Sequence, residues 1–251
     1  MNKLIMPFPM SLWSMSLLSF LSVMYTGCIF SYGQRYHHFT TPTPLRGKSL
    51  LILGFMGGRD AWDTDNNLRR LALKLRSMTN PLVYAETLEN KKRALAIELI
   101  RNAFDRNQDG QLDEQERASV RLILYGQSFG GAAVVTLARQ LKKMNVPVLL
   151  TVQIDSVGRG DKVIPPNVAY AANLFQRNGW LIRGEPQIVP EDPVKTTIIG
   201  NFEFDYMEKK IDISQVPWHR RVFRVAHNQI EHDPEVWAKV EGLILDAINN
   251  S

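Results

Sequence analysis

From Ser49 onward, short aliphatic runs alternate with stretches of helical periodicity, and this alternation constrains the fold more than any other feature of the chain. Ser49 to Leu53 is an aliphatic run closed by Gly54, and Asn66 to Ser77 follows with leucines at 68, 71, 73 and 75. That pair reads as strand then amphipathic helix. The pattern continues with a strand at Leu82 to Ala85, a helix at Lys91 to Phe104 and a strand at Arg121 to Tyr125 running into Gly126. Gly130 to Lys143 predicts a helix, Val146 to Ile154 a nearly continuous apolar strand, and Val222 to Ala226 a further strand. Asp233-Pro234 opens a last helix reaching Ile248, with Asp suited to the N-cap and Pro to the first turn. Aliphatic strands separated by helices need burial on both faces, so the sequence predicts an α/β fold: a mainly parallel central sheet with helices on both faces. Residues 158–207 fit this reading least. There Ile164 to Val168 reads as a loop and Ala169 to Phe175 as a short helix.

The first thirty residues differ in kind. Lys3 is the only charge before Arg35, and Met10 to Tyr25 is apolar, the composition of an export signal. Cys28 is the only cysteine, so an intramolecular disulfide is excluded. It follows Tyr-Thr-Gly directly behind the apolar stretch and resembles a bacterial lipobox cysteine, although Tyr25 stands where an aliphatic residue is usual. The preferred division is a lipoprotein-type signal over 1–27, a polar tether over 28–47 with Pro42 and Pro44, and one domain over 48–251. A plain cleaved signal and an uncleaved anchor are the alternatives, since Leu4 to Phe30 approaches the length that spans a bilayer. Each places the folded part outside the cytoplasm, on the periplasmic or extracellular side, with membrane attachment through Cys28 or the N-terminal segment. Charged residues make up 22% of the 251-residue chain in both signs, for a net charge of +5 with no long run of either. Nucleic-acid binding is therefore not indicated.

Gly126-Gln127-Ser128-Phe129-Gly130 fits G-x-S-x-G between a predicted strand and a predicted helix, the setting in which a sharp turn lifts a serine hydroxyl above a sheet edge. The bare pattern would occur by chance in about one chain in ten of this length, so the setting carries the reading. A serine needs a base and an orienting carboxylate, in the chain order Ser, acid, His. His227, directly after the predicted strand Val222 to Ala226, is the preferred base, with His232 and His219 as alternatives. Asp155, at the end of the strand closing at Ile154, is the preferred acid, with Asp161 and Asp205 as alternatives. The oxyanion of a tetrahedral intermediate needs backbone donors. Phe129 is one candidate, and Phe55, in the loop Gly54-Phe55-Met56-Gly57-Gly58, is the other, with Met56 second.

These residues together resemble an α/β-hydrolase of the bacterial lipase, esterase and thioesterase-like group, over roughly Lys48 to Ile248. The resemblance implies hydrolysis of carboxylic esters or thioesters and an eight-stranded family core, of which about six strands can be placed here. It also implies, by analogy alone, that part of 158–207 covers the edge bearing the acid.

A second motif stands apart from the first. Asp105, Asn107, Asp109, Gly110, Gln111, Asp113 and Glu116 fall at the diagnostic positions of a twelve-residue EF-hand loop spanning 105–116. Oxygen ligands fall at positions one, three and five, Gln111 offers its carbonyl at seven, Asp113 contributes at nine, and Glu116 closes the site. A structural calcium ion just before the nucleophile strand is the expectation, and no organic cofactor is indicated. Two function classes follow: an exported serine hydrolase acting on a small-molecule or lipid ester through an acyl-enzyme, or a calcium-stabilised, catalytically inactive surface protein of the same fold that binds a partner.

Overall fold

The structure is a computed structural model that describes residues 33–250, apart from Arg59, Thr79, Trp180, Leu181, Val222 and Phe223. The expected leader and Cys28 lie outside the described residues, none of whose helices is long and apolar enough to cross a membrane.

After a 3-10 turn at Tyr36–His38, the described chain runs β1 (Leu50–Phe55), α1 (Asn67–Arg76), β2 (Val83–Leu88), α2 (Arg93–Phe104), α3 (Glu114–Ala118) and β3 (Leu122–Gln127). It continues with α4 (Phe129–Lys143), β4 (Val148–Ile154), β5 (Val163–Ile164), β6 (Val168–Phe175), β7 (Val189–Pro190) and β8 (Thr197–Glu203). Helices α5 (Trp218–Arg221), α6 (Val225–His232) and α7 (Pro234–Asn249) complete it. Six strands form one sheet in the order β2-β1-β3-β4-β6-β8, with β5 and β7 paired separately. Every pairing in the large sheet is parallel, so all its strands end at one carboxyl edge. The expected α/β class is what the chain adopts.

The strands alternate in which face they present, as the pleat requires. Leu51, Leu53, Leu122 and Leu124 pack with Leu99, Ile100, Val134 and Leu137 of α2 and α4 on one face. Leu50, Ile52, Ile123 and Tyr125 pack with Leu68, Leu71, Val236 and Val240 of α1 and α7 on the other. Each such side chain, once buried, contributes about 1.5–3 kcal/mol, and these two layers hold the carboxyl edge in place. Asp233 caps α7 by accepting from Glu235 N–H at 3.0 Å, with Pro234 in the first turn, as the sequence predicts. Burial, reinforced by the bond to Asp233, pushes the Tyr206 hydroxyl well above its ordinary range; it therefore remains a donor and holds Asp233 at 2.9 Å.

Three readings of the sequence need correction, and one strand has no counterpart among them. Val168–Phe175, expected as loop and short helix, is strand β6, paired with β4 and β8. Its Ala-Tyr-Ala-Ala stretch lacks the β-branched residues that mark strands, and pairing on both sides overrides that local preference. Strand β8 was not anticipated because, as an edge strand, it alternates between exposed and half-buried positions rather than reading as an apolar run. The expected strand Val222 to Ala226 is replaced, within the described residues, by the start of α6: Asn228 N–H donates to Arg224 O at 2.8 Å, so the backbone bonds run along the chain. Finally, the expected tether belongs to the folded unit from Gln34 onward. Gln34 Nε2 donates to Thr87 O at 2.8 Å, and the Thr40 and Thr41 N–H groups donate to buried Glu86 at 2.7 and 2.8 Å. Leu45 is buried and its N–H donates to Ala103 O at 2.7 Å.

Candidate active site

Ser128 occupies the single position between the last residue of β3 and the first of α4. Its φ of 57° and ψ of −123° lie where an L-residue is strained. Among the described residues only four non-glycine positions have positive φ, and two of them are Ser128 and Asp155, the latter at 43°. Strain at both positions marks the carboxyl edge as a place where the backbone is held against its preference. Close packing supplies the restraint: a Cβ at Gly130 would lie 1.9 Å from Phe55 O, so only glycine lets α4 start against the end of β1. Phe55 closes β1 and is fully buried, opposite Leu88 and Gly126 in register. Phe129 is 51% exposed as the first residue of α4, where a helix has backbone N–H groups without intrahelical partners. The N–H of Met56, the second oxyanion candidate, donates to Leu88 O at 2.8 Å.

Asp155 follows the last residue of β4, the strand beside β3. The two turns are tied by their backbones: Ser128 N–H donates to Ile154 O at 2.9 Å, and Val157 N–H donates to Ser128 O at 3.1 Å. His227, on the first turn of α6, meets Asp155 Oδ2 through Nδ1 at 2.5 Å. Asp155 is completely buried, while His227 and Ser128 are each 5% exposed. The structure therefore joins the preferred acid and base by a short, water-shielded bond and ties the strand end bearing Ser128 to the acid's own turn. His227 occupies a helix rather than the expected loop.

The alternative residues are engaged elsewhere. His232 Nδ1 meets Asn228 O at 2.8 Å within α6, and the side chain lines a polar cleft of about 390 Å³ with Asp65, Asp212 and Trp237. Asp161 is buried and accepts from Ser156 Oγ at 2.5 Å. Exposed Asp205 accepts from Asn178 Nδ2 at 2.9 Å. The side chain of His219 lies outside the described part.

Two residues at this edge escaped the sequence reading. Gln176, directly after β6, donates to Asp155 through its backbone N–H and its side-chain amide at 3.2 and 3.0 Å. Gly184 lies against the same carboxylate, so close that a Cβ there would be 2.2 Å from Oδ1. Neither belongs to a local motif; only the strand pairing that delivers β6 beside β4 could have revealed them.

At the opposite end of β3, residues 105–116 form a loop whose carboxylates turn toward backbone N–H groups. Asp105 accepts from Asp109 and Gly110 N–H at 3.2 and 2.8 Å, and Asp109 accepts from Gln111 N–H at 2.9 Å. Glu116 accepts from Arg106, Asn107 and Asp113 N–H at 2.7, 3.3 and 3.0 Å, while its own N–H donates to Asp113 at 2.8 Å. Gly110 supplies the turn at φ 85°. The donor set of Asp105, Asn107, Asp109, Gln111, Asp113 and Glu116 is all oxygen, which suits a hard cation such as calcium. The side chains do not converge, however: among the described residues no group of three or more His, Cys, Asp or Glu is arranged to hold a metal ion.

No protein-family model matches this chain, and no curated protein is significantly similar to it.

Proposed function

We propose that the chain is an exported serine hydrolase cleaving a carboxylic ester or thioester through an acyl-enzyme. The reading resembles that of the bacterial lipases and esterases, and one observation carries it: the 2.5 Å contact of His227 with buried Asp155 at the sheet edge where Ser128 is strained. Asp155 fixes Nδ1 as the protonated nitrogen, leaving Nε2 to accept a proton. Ser128 Oγ attacks the carbonyl carbon as His227 Nε2 takes its proton, and the carbonyl oxygen becomes an oxyanion facing the N–H group of Phe129, with the end of β1 at Phe55 as the candidate source of a second donor. Collapse breaks the bond to the alcohol or thiol, which leaves with the proton from His227. Water, deprotonated by the same imidazole, then attacks the acyl-Ser128 ester; the acid departs and Ser128 recovers its proton. Loss of one oxyanion donor costs roughly a hundred- to a thousandfold in rate.

Calcium belongs to the same reading as a structural ion at residues 105–116, supported by the all-oxygen donor set and the turn at Gly110. Asp105, Asn107, Asp109, Gln111, Asp113 and Glu116 would hold it only with the carboxylates turned from the loop N–H groups toward a common centre, and it would there neutralise carboxylates that otherwise repel. The apolar N-terminal stretch and Cys28 support export with attachment to the membrane. A shift of the protein from membrane to soluble fractions in Cys28→Ser tests lipid attachment.

The activity test is labelling by a fluorophosphonate, followed by turnover of p-nitrophenyl esters of increasing chain length. Labelling of the native chain that disappears in Ser128→Ala supports the hydrolase. No labelling of the native chain rejects it and favours a partner-binding protein.

A further inference from the structure

The carboxylate of Asp155 is gripped from a side that the hydrolytic steps above do not use. Parallel pairing carries the ends of β4 and β6 to the same edge, where Asp155 N–H donates to Leu174 O at 2.7 Å. Two residues further on, Gln176 is completely buried. Its backbone N–H donates to Asp155 Oδ1 at 3.2 Å, and its Nε2 donates to Oδ2 at 3.0 Å, the oxygen that also meets His227. The same amide is fully engaged beyond the carboxylate: Nε2 also donates to Ile182 O at 3.0 Å, and Oε1 accepts from Gly179 N–H at 2.8 Å. Gly184 closes against Oδ1. Rotation of the carboxyl group would therefore break two bonds to Gln176 as well as the bond to the imidazole, where Asp155 and Gln176 are both completely buried.

We infer that Gln176 is a positioning residue of the hydrolase: it fixes the rotamer of Asp155 so that Oδ2 meets His227, and it ties that carboxylate to Gly179 and Ile182. This rests on Ser128, Asp155 and His227 forming the reacting triad. The chemistry is neutral. The primary amide donates to Asp155 Oδ2 and to Ile182 O without bringing a charge that would compete with the imidazole, which a lysine or arginine at 176 would do.

The experiment uses the full chain and a fluorophosphonate probe, with kinact and KI measured separately for the native protein, Gln176→Met and Gln176→Glu. Methionine keeps the bulk and removes the amide; glutamate keeps an oxygen for Gly179 but loses the donor. The expected result is a fall of about ten- to a hundredfold in kinact with KI unchanged, the cost of a misplaced catalytic group. The low-field proton resonance of the His227–Asp155 bond should broaden or vanish in the same variants. A folded variant with native kinact overturns the proposal, as does a loss confined to KI. If neither variant folds, Gln176 serves the fold rather than the site, and the proposal is likewise overturned. A native protein that does not label at all rejects the hydrolase reading itself, an outcome distinct from native labelling that is indifferent to Gln176.

Discussion

Strand β3 carries a polar turn at each end, and the two are built by opposite means. At the carboxyl end, the bonds that fix the site cross long stretches of chain: His227 reaches Asp155 across 72 positions and Gln176 reaches it across 21. At the amino end, the bonds within residues 105–116 span at most ten positions, from Arg106 to Glu116. The first turn is buried and strained, and it exists only when β3, β4, β6 and α6 are all in place. The second is largely exposed and closes on itself. Damage to the carboxyl end should therefore appear in rate, and damage to the amino end in stability.

The largest expected effect is that of Asp155→Asn. An amide at 155 keeps the shape but favours the wrong imidazole tautomer, and the expected loss in ester turnover is about 10⁴-fold. Turnover within a factor of a few of native would break the comparison at its root, because the buried bond would then be structural only. Gly184→Ala is the next step down. The added methyl would lie 2.2 Å from Asp155 Oδ1 and must displace the carboxylate or the loop. Overpacking of this kind costs about 1–3 kcal/mol, but kcat should fall by about ten- to a hundredfold, since small misplacements at a reacting site are that costly. Kinetics and thermal unfolding on one sample separate the two; a lower melting temperature with native kcat would show that Gly184 serves packing alone.

This difference in span also explains what the sequence disclosed. The strand β3, the Ser128 turn and the Asp233-Pro234 start of α7 follow from neighbouring residues, and so did the donor pattern of residues 105–116. Asp155 and His227 were reached by chain order and by their place after predicted strands, although His227 proved to be helical. Gln176 and Gly184 were invisible because nothing local distinguishes them; they matter only once β6 lies beside β4. The helix-like composition of Ala169 to Phe175 hides them further. Strand β8 went unseen because an exposed edge strand has no need of an apolar run, and the segment from Gln34 looked like a tether because its partners, Glu86 and Thr87, are more than forty positions away.

At the amino end, Glu116→Gln should leave the site alone and weaken the fold. The amide replaces a carboxylate oxygen that accepts from backbone N–H groups with a nitrogen that cannot, at a cost of about 1–3 kcal/mol. For a domain of this size that corresponds to a fall of about 2–4 °C in Tm per kcal/mol. Calcium should raise the Tm of the native protein, EGTA should lower it, and Glu116→Gln should respond to neither. Identical native melting curves in calcium and EGTA would remove the ion and leave a loop held by its own hydrogen bonds.

The smallest effect expected is a gain, at Gly242→Ala in α7. An added Cβ there meets nothing within 4 Å, so alanine contributes its helix propensity without a clash. The expected stabilisation is about 0.5–1 kcal/mol, read as a shift in the urea midpoint at unchanged m. The helix begins at Pro234, directly after Asp233, which Tyr206 and Lys209 hold at 2.9 and 2.6 Å, and one residue beyond the end of the helix bearing His227. Because that junction is fixed by side chains of its own, stiffening the helix beyond it should leave kinact and the calcium response at native values. A change in kinact without a change in the calcium response would mean that α7 transmits to His227 through Asp233, and that the carboxyl-edge site extends one helix further than its hydrogen bonds indicate.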